Sequence, residues 1–258
     1  MIPTKENTKK FLAERRAAKK KPKVHQKIDN NFIENAIKNP NIHALKTLYY
    51  LSTVLETIDM SKMKDDKIVG LKIDKKEMLK FIDTTAPTLV KATKQMQETS
   101  ITFYDDDGVI EGMSLLPRFR LVPNKNIIEI DLYVRVAKMI IDVKRNYTLI
   151  NIKEISMLKR PHSIRMLSLL NRISSYDKNI PKRKKMTLDE LNAFFGVNYK
   201  KWNMLEKSIL KPVKEELDSI SKLSFIYDPN YEVLGRGRPS FKDVTIDVIN
   251  NNPQPKLF

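Results

Sequence analysis

The chain has no cysteine and only three histidines in 258 residues, and each shortage removes a class of protein. Without cysteine there is neither a disulfide framework nor a thiolate zinc site, which fits a reducing cytosol. His25, His43 and His162 are widely separated, with no H-x-H spacing. The histidine-rich metal site that a strand-nicking tyrosine pair such as Tyr49-Tyr50 would need is therefore missing. There is no P-loop, so ATP hydrolysis is not expected. The longest apolar run, Leu132–Val143, is interrupted by Arg135 and Lys138 and is far too short to span a bilayer. Residues 1–24 lack the apolar stretch of a secretion signal. Asp105-Asp106-Asp107-Gly108 lacks the alternate ligands and terminal glutamate of a calcium loop and reads as a polar hairpin turn. The expectation is a soluble cytoplasmic protein with no cofactor, no metal and no enzymatic activity.

Negative charge is also scarce. Against 48 Lys+Arg stand 31 Asp+Glu, a net charge of +17 and a pI near 9.7. Such an excess implies a polyanionic partner, either nucleic acid or an acidic membrane surface. Because the cations run through the whole chain, the membrane reading is the weaker one. Residues 1–24 carry nine of the basic residues against Glu6 and Glu14 and have too little apolar content to fold alone. They read as a DNA-binding arm or a solubilising tail.

Residues 199–248 hold the most specific pattern. Trp202, Leu205, Ile209, Val213 and Leu217 recur every three to four residues as one helical stripe, with Lys200, Lys201, Lys207, Lys211 and Lys214 off it. Leu223, Phe225 and Tyr227 alternate as a half-buried strand, as do Val244, Ile246 and Val248. Between them lies a doubly cationic turn, Gly235-Arg236-Gly237-Arg238-Pro239. A helix followed by a basic-tipped hairpin is the plan of a winged helix-turn-helix, the helix suited to the major groove and the wing to a neighbouring phosphate backbone.

The rest of the chain writes this pattern twice. Each copy opens with an apolar-faced helix (Leu45, Leu48, Leu51, Leu55 and Ile58; then Ile164, Leu167, Leu170 and Ile173). A capping-box signature follows, Asp74-Lys-Lys-Glu77 in one copy and Thr187-Leu-Asp-Glu190 in the other. Next come a turn (Asp83-Thr84-Thr85; Gly196-Val197-Asn198) and a longer helix, from about Ala86 to Thr99 in the first copy. Strands close each copy: Ile101–Tyr104, Val109–Leu116 and Ile127–Val134, then Leu223–Tyr227 and Val244–Ile249. The fold class expected is α+β: two tandem winged-helix domains, 25–135 and 136–258, joined near 135–150 behind the flexible tail 1–24. Pro212 falls inside the second reading helix, where it removes an N–H and opposes the carbonyl of Ser208. Either the helix kinks there or its DNA-facing part ends near Leu210.

Several segments together resemble the iteron-binding, theta-type plasmid replication initiators. Tyr147-Thr-Leu-Ile through Pro161-His-Ser-Ile-Arg-Met-Leu-Ser-Leu-Leu is similar to the opening helices of that family's C-terminal domain. Leu188-Asp-Glu-Leu, Phe195-Gly-Val, Leu210-Lys-Pro-Val-Lys-Glu-Glu-Leu-Asp and Leu223-Ser-Phe-Ile-Tyr look like its helix, recognition helix and strand, and Gly235-Arg-Gly-Arg like its wing. The resemblance covers roughly 145–250 well and the first half mainly in architecture. It implies tandem winged helices that bind directly repeated origin DNA as monomers, often repress their own promoter as dimers, and help recruit the host initiator and helicase. The C-terminal domain would be the principal base reader.

Candidate DNA-binding residues follow. Lys201 and Lys207, near the helix start, can donate to guanine O6 and N7, and by motif they match basic contact positions of similar initiators. Asn203 can pair with adenine, and Lys200 and Lys211 flank them. Glu206 is either a cytosine acceptor or a positioning partner for lysine. Arg236 and Arg238 suit phosphate from the wing, and Lys182, Arg183, Lys184 and Lys185 suit backbone at the helix-turn-helix edge. In the first copy the candidates are Lys91, Lys94, Arg118 and Arg120. Trp202 reads as core rather than as a base-stacking platform. A winged-helix transcription regulator without a replication role is the alternative, and a nicking endonuclease or recombinase lacks its metal spacing. For Arg236→Ala, binding to every DNA sequence should weaken and the slope of log K against log salt become shallower by about one. A salt titration that returns an unchanged slope would remove the wing from the contact set.

Overall fold

The computed structural model describes residues 25–29, 41–104, 110–122, 124–141, 147–177, 179–233 and 239–251. The basic tail 1–24, the turn 105–108 and the wing tip with Arg236 and Arg238 lie outside them. Among the described residues no helix is long and apolar enough to cross a membrane.

The first half is built around α1 (Ile42–Leu55), whose N-terminus is capped by the Asn41 side chain accepting from the His43 N–H. The stripe of leucines is buried as expected, but so are Lys46, Thr47, Tyr49, Tyr50 and Ser52. A helix covered on nearly every side needs neighbours all round it. Helices α2 (Lys75–Ile82), α3 (Ala86–Glu98), α4 (Val134–Ile141), α5 (Ile152–Met157) and α6 (Pro161–Ser174) all pack on it. Strand β2 (Ile68–Asp74) leads into α2 with Val69, Leu71 and Ile73 inward. Asp74 caps α2 by accepting from the Glu77 N–H at 2.9 Å, and its other oxygen accepts from Asn126. The full capping box expected at 74–77 is therefore not the arrangement recorded: Asp74 is shared between the helix and the neighbouring loop. Asp83 takes the left-handed conformation (φ 57°) that reverses the chain into α3. Strands β3 (Ser100–Tyr104) and β4 (Ile110–Ser114) form a hairpin. Strands β5 (Arg118–Leu121) and β6 (Ile127–Tyr133) join β2 in a sheet of order β2-β6-β5.

Tyr147–Asn151, expected to open a helical region, is instead strand β7, paired antiparallel with β1 (His25–Asp29). A partner more than a hundred residues away cannot be read locally. The second half then repeats the first. Helix α6 packs on the later helix and strand of this half. Strand β8 (Arg183–Met186) feeds α7 (Leu188–Phe195), where Thr187 and Glu190 form the complete reciprocal capping box, and Gly196 ends the helix at φ 69°. After α8 (Trp202–Leu205) comes a π-helical turn, Glu206–Leu210, and then α9 (Lys211–Ile220). The helix neither stops near Leu210 nor breaks. The Lys211 N–H reaches back to the Glu206 carbonyl, so a wider turn just before Pro212 absorbs the donor that proline lacks. Strands β9 (Leu223–Glu232) and β10 (Ser240–Asn250) run longer than expected and pair with β8 in the order β8-β10-β9. In both copies a strand enters the capped helix and pairs with the last strand of its sheet.

A polar junction ties the halves together. Lys46, only 2% exposed, donates from Nζ to the Ser156 carbonyl at 2.8 Å. Tyr49 and Ser168 share a 2.7 Å hydrogen bond between α1 and α6. Lys159 ion-pairs with Asp83 in the first helix-turn-helix, while its backbone N–H donates to Glu216 of α9 at 2.7 Å. Burial, with the like charge of Lys159, pushes the Lys46 ammonium from 10.5 down to about 8, against the opposing pull of Asp83 and Glu216. Below pH 8 both folded and unfolded chains carry that proton. Between about 8 and 10.5 only the unfolded chain does, so raising the pH through this window stabilises the fold. Thermal melts from pH 8 to 9.5 should show a stability gain in the parent that Lys46→Met lacks. Equal slopes for the two proteins would show that Lys46 does not titrate there.

Candidate nucleic-acid interface

The rotational phase of the 202–220 helix is set by what it buries. Trp202 stacks on Phe241 of β10 with ring centroids 4.5 Å apart and planes 5° off parallel, and Tyr227 of β9 meets it edge-on at 6.1 Å. Trp202, Leu205, Ile209, Val213 and Leu217 are all buried, the tryptophan at 5% exposure. Its ring therefore belongs to the core beneath the wing. With that face inward, Lys200, Lys201, Asn203, Met204 and Lys207 are exposed. Lys201 is the N-cap residue and its side chain makes no capping bond. None of Lys200, Lys201 or Lys207 has an ion-pair partner among the described residues.

Lys211 is exposed but lies 3.4 Å from Glu206, which also accepts from the Tyr227 hydroxyl at 3.0 Å. Of the two roles weighed for Glu206, this is the positioning one: its carboxylate is tied to the next turn of its own helix and to β9. Burial, then the bond to Glu206, pushes the Tyr227 phenol up to about 12, so it stays a donor at neutral pH.

A groove of about 740 Å³ opens beside the exposed lysines. Thr187 and Asp189 at the start of α7 form one wall, Lys200 to Asn203 the second, and Tyr231, Ser240 and Lys242 at the base of the wing the third. Lys242 was not singled out from the sequence. Its signal is the alternation of β10, where Ser240 and Lys242 point out and Phe241 in. It lies 3.4 Å from Glu232 across the hairpin.

Of the basic cluster at 182–185, Arg183, Lys184 and Lys185 lie on strand β8, and the pleat divides their cations. Arg183 and Lys185 are exposed, with Arg183 at 2.9 Å from Asp247 of β10. Lys184 is half-buried, and burial, reinforced by Arg172, lowers its ammonium against the pull of Glu190. Lys182 donates to the carbonyls of Tyr176 and Asp177, closing the loop before the strand.

In the first copy Lys91 and Lys94 are exposed on α3, Lys94 loosely paired with Glu98 at 3.9 Å. Arg118 and Arg120 stand on the outer face of β5 opposite carboxylates of β6. Arg118 is 2.9 Å from Asp131 and 3.6 Å from Glu129, and Arg120 is 3.3 Å from Glu129. Both guanidiniums are well exposed, so these pairs are easily exchanged for another anion. No group of three or more His, Asp or Glu residues that could hold a metal ion occurs among the described residues.

Comparison with known proteins agrees with this architecture. Residues 26–171 match the family described as "Initiator Replication protein, WH1", more than half of the chain, and residues 187–248 match "Initiator Rep protein, WH2". The chain belongs to the replication-initiator protein family. Its two winged-helix regions are the two that the family descriptions name. The initiator is also similar to a solved structure described as "Crystal structure of Pi initiator protein in complex with iteron DNA". The TM-score is 0.65 at 13% sequence identity, over 90% of this chain and 100% of that one, a likeness of fold. No curated protein matches the chain.

The packing of Trp202 yields a direct test. Trp202→Ala should cost about 3–5 kcal/mol of stability, seen as a lower midpoint in urea unfolding. A variant with the parent's midpoint that has lost only DNA affinity would put the ring on a base instead.

Proposed function

We propose that this initiator binds double-stranded DNA sequence-specifically and starts plasmid replication from directly repeated origin sites. The observation that carries the reading is the face at the start of the 202–220 helix. Burial of Trp202 and Leu205 leaves Lys200, Lys201, Asn203 and Lys207 pointing outward beside the wing. An α-helix fits the major groove, and its first turns are the part that reaches base edges. Lys201 and Lys207 donate to guanine, Asn203 pairs with adenine, and Lys200 and Lys211 hold adjacent phosphates. The wing, with Arg236 and Arg238 at its tip, and strand β8, with Lys182 to Lys185 near it, track the flanking backbone. Lys91, Lys94, Arg118 and Arg120 do the same for the first domain. The Pi initiator, similar in fold, is described in complex with iteron DNA.

The division within 135–150 falls between α4, packed on α1, and α6, packed on α9 and β9, with α5 and α6 also meeting α1 at the junction. The two units would engage two major-groove segments about one helical turn, roughly 34–36 Å, apart. Action in the cytoplasm without enzymatic activity, self-association that represses its own promoter, and recruitment of the host initiator and helicase complete the reading.

Footprinting of the DNA beside the gene, at stated salt, separates this from a simple transcription regulator. Protection of several direct repeats of about two turns each, next to an A·T-rich tract, is the expected result. Protection of a lone inverted repeat would favour the regulator. Lys201→Ala or Lys207→Ala should cost about 1–3 kcal/mol on the specific site and relax preference at one base pair. Equal loss on specific and random duplex would make these lysines phosphate contacts.

A further inference from the structure

We infer that Met204 is a specificity-determining residue of the second reading helix, seating its thioether against the C5-methyl group of a thymine in the major groove. The inference rests on the DNA-binding reading and deepens it. Met204 is 52% exposed, although its sequence neighbour Leu205 is fully buried and Trp202 nearly so. Its place is not an apolar patch. It follows Asn203, with Lys201 three residues before it and Lys207 three residues after, all exposed. Lys201 at the N-cap and Lys207 in the following turn flank it on the exposed side of the helix start, so the methionine stands among cations. A cation-ringed methionine is poorly suited to a protein partner's apolar surface but well placed on DNA, where the flanking charges meet an anion.

The chemistry of the groove supplies the ligand. Lysine donates to guanine acceptors and asparagine pairs with adenine, but neither reads the thymine methyl, the apolar group that the major groove displays. Met204 is the one large apolar side chain that this face exposes among the described residues. Methionine is unbranched, flexible and polarizable, and so able to follow a methyl group into contact.

The test begins with duplexes selected from a random pool by the full-length protein. In the best-bound duplex each thymine is replaced singly by deoxyuracil, which removes only the methyl. Binding at one position should weaken by about fourfold for the parent, the loss of one buried methyl. Met204→Ala should bind the thymine duplex about as weakly as the parent binds that uracil duplex, and should not distinguish the two bases there. Met204→Leu should keep the distinction. Because Met204 is exposed, the alanine variant should retain the parent's unfolding midpoint. If the parent and Met204→Ala show the same thymine-to-uracil ratio at every position, the inference is overturned while sequence-specific binding stands. If the parent selects no sequence at all, the DNA-reading proposal fails and this inference falls with it.

Discussion

The burial of Trp202 and Leu205 is the constraint on which the candidate DNA surface depends. A helix carrying lysines on several sides has no intrinsic preference for which of them face outward. Stacking of the indole on Phe241, with Tyr227 at its edge, removes that freedom. It joins the start of the 202–220 helix to both β9 and β10. The aromatic contact is thus part of the core of the second domain and fixes the start of the helix against the hairpin strands.

The same economy operates between the halves. Helix α1 has no solvent face of the usual kind, because elements on both sides of the 135–150 segment pack against it. Along this junction Lys46 and Lys159 satisfy acceptors in turn, reaching Ser156, Asp83 and Glu216. Asp83 belongs to the turn that aims α3, and Glu216 lies on the helix whose first turns carry Lys201 and Lys207. These polar contacts therefore link the turn before α3 to the 202–220 helix. Such a link makes relative orientation of the domains a property of the native state and not of a linker.

What was legible in the sequence follows a physical rule. The stripes of α1, α6 and the 202–220 helix, the Thr187–Glu190 box and the alternation in β6, β9 and β10 are local patterns, and each is formed. Strand β8 was hidden because it buries only Met186 and is otherwise cationic; its pairing with the distant β10 makes it a strand. Strand β2 alternates in burial, but Gly70 and Lys72 break its apolar content into short pieces. The exposed lysines at the start of the 202–220 helix were recoverable from periodicity alone. The groove they share with Lys242 was not, since it is made by three segments brought together by the sheet.

Pro212 shows how a local rule and a tertiary context divide the labour. The proline does not end the helix, because the π turn at Glu206–Leu210 accommodates it. What changes beyond that point is charge. Up to Lys207, the second residue of the turn, Lys200, Lys201 and Lys207 are exposed and have no ion pair among the described residues. After it, Lys211 is held by Glu206 and Lys214 lies 2.5 Å from Asp218, which also accepts from Ser224. Glu216, still further along, is buried at the domain junction. A phosphate approaching the later turns would have to displace existing carboxylate partners, whereas one approaching the first turns would not. The cations without an ion pair on this helix accordingly end at Lys207 among the described residues, and the second half of the same helix packs at the junction between the halves.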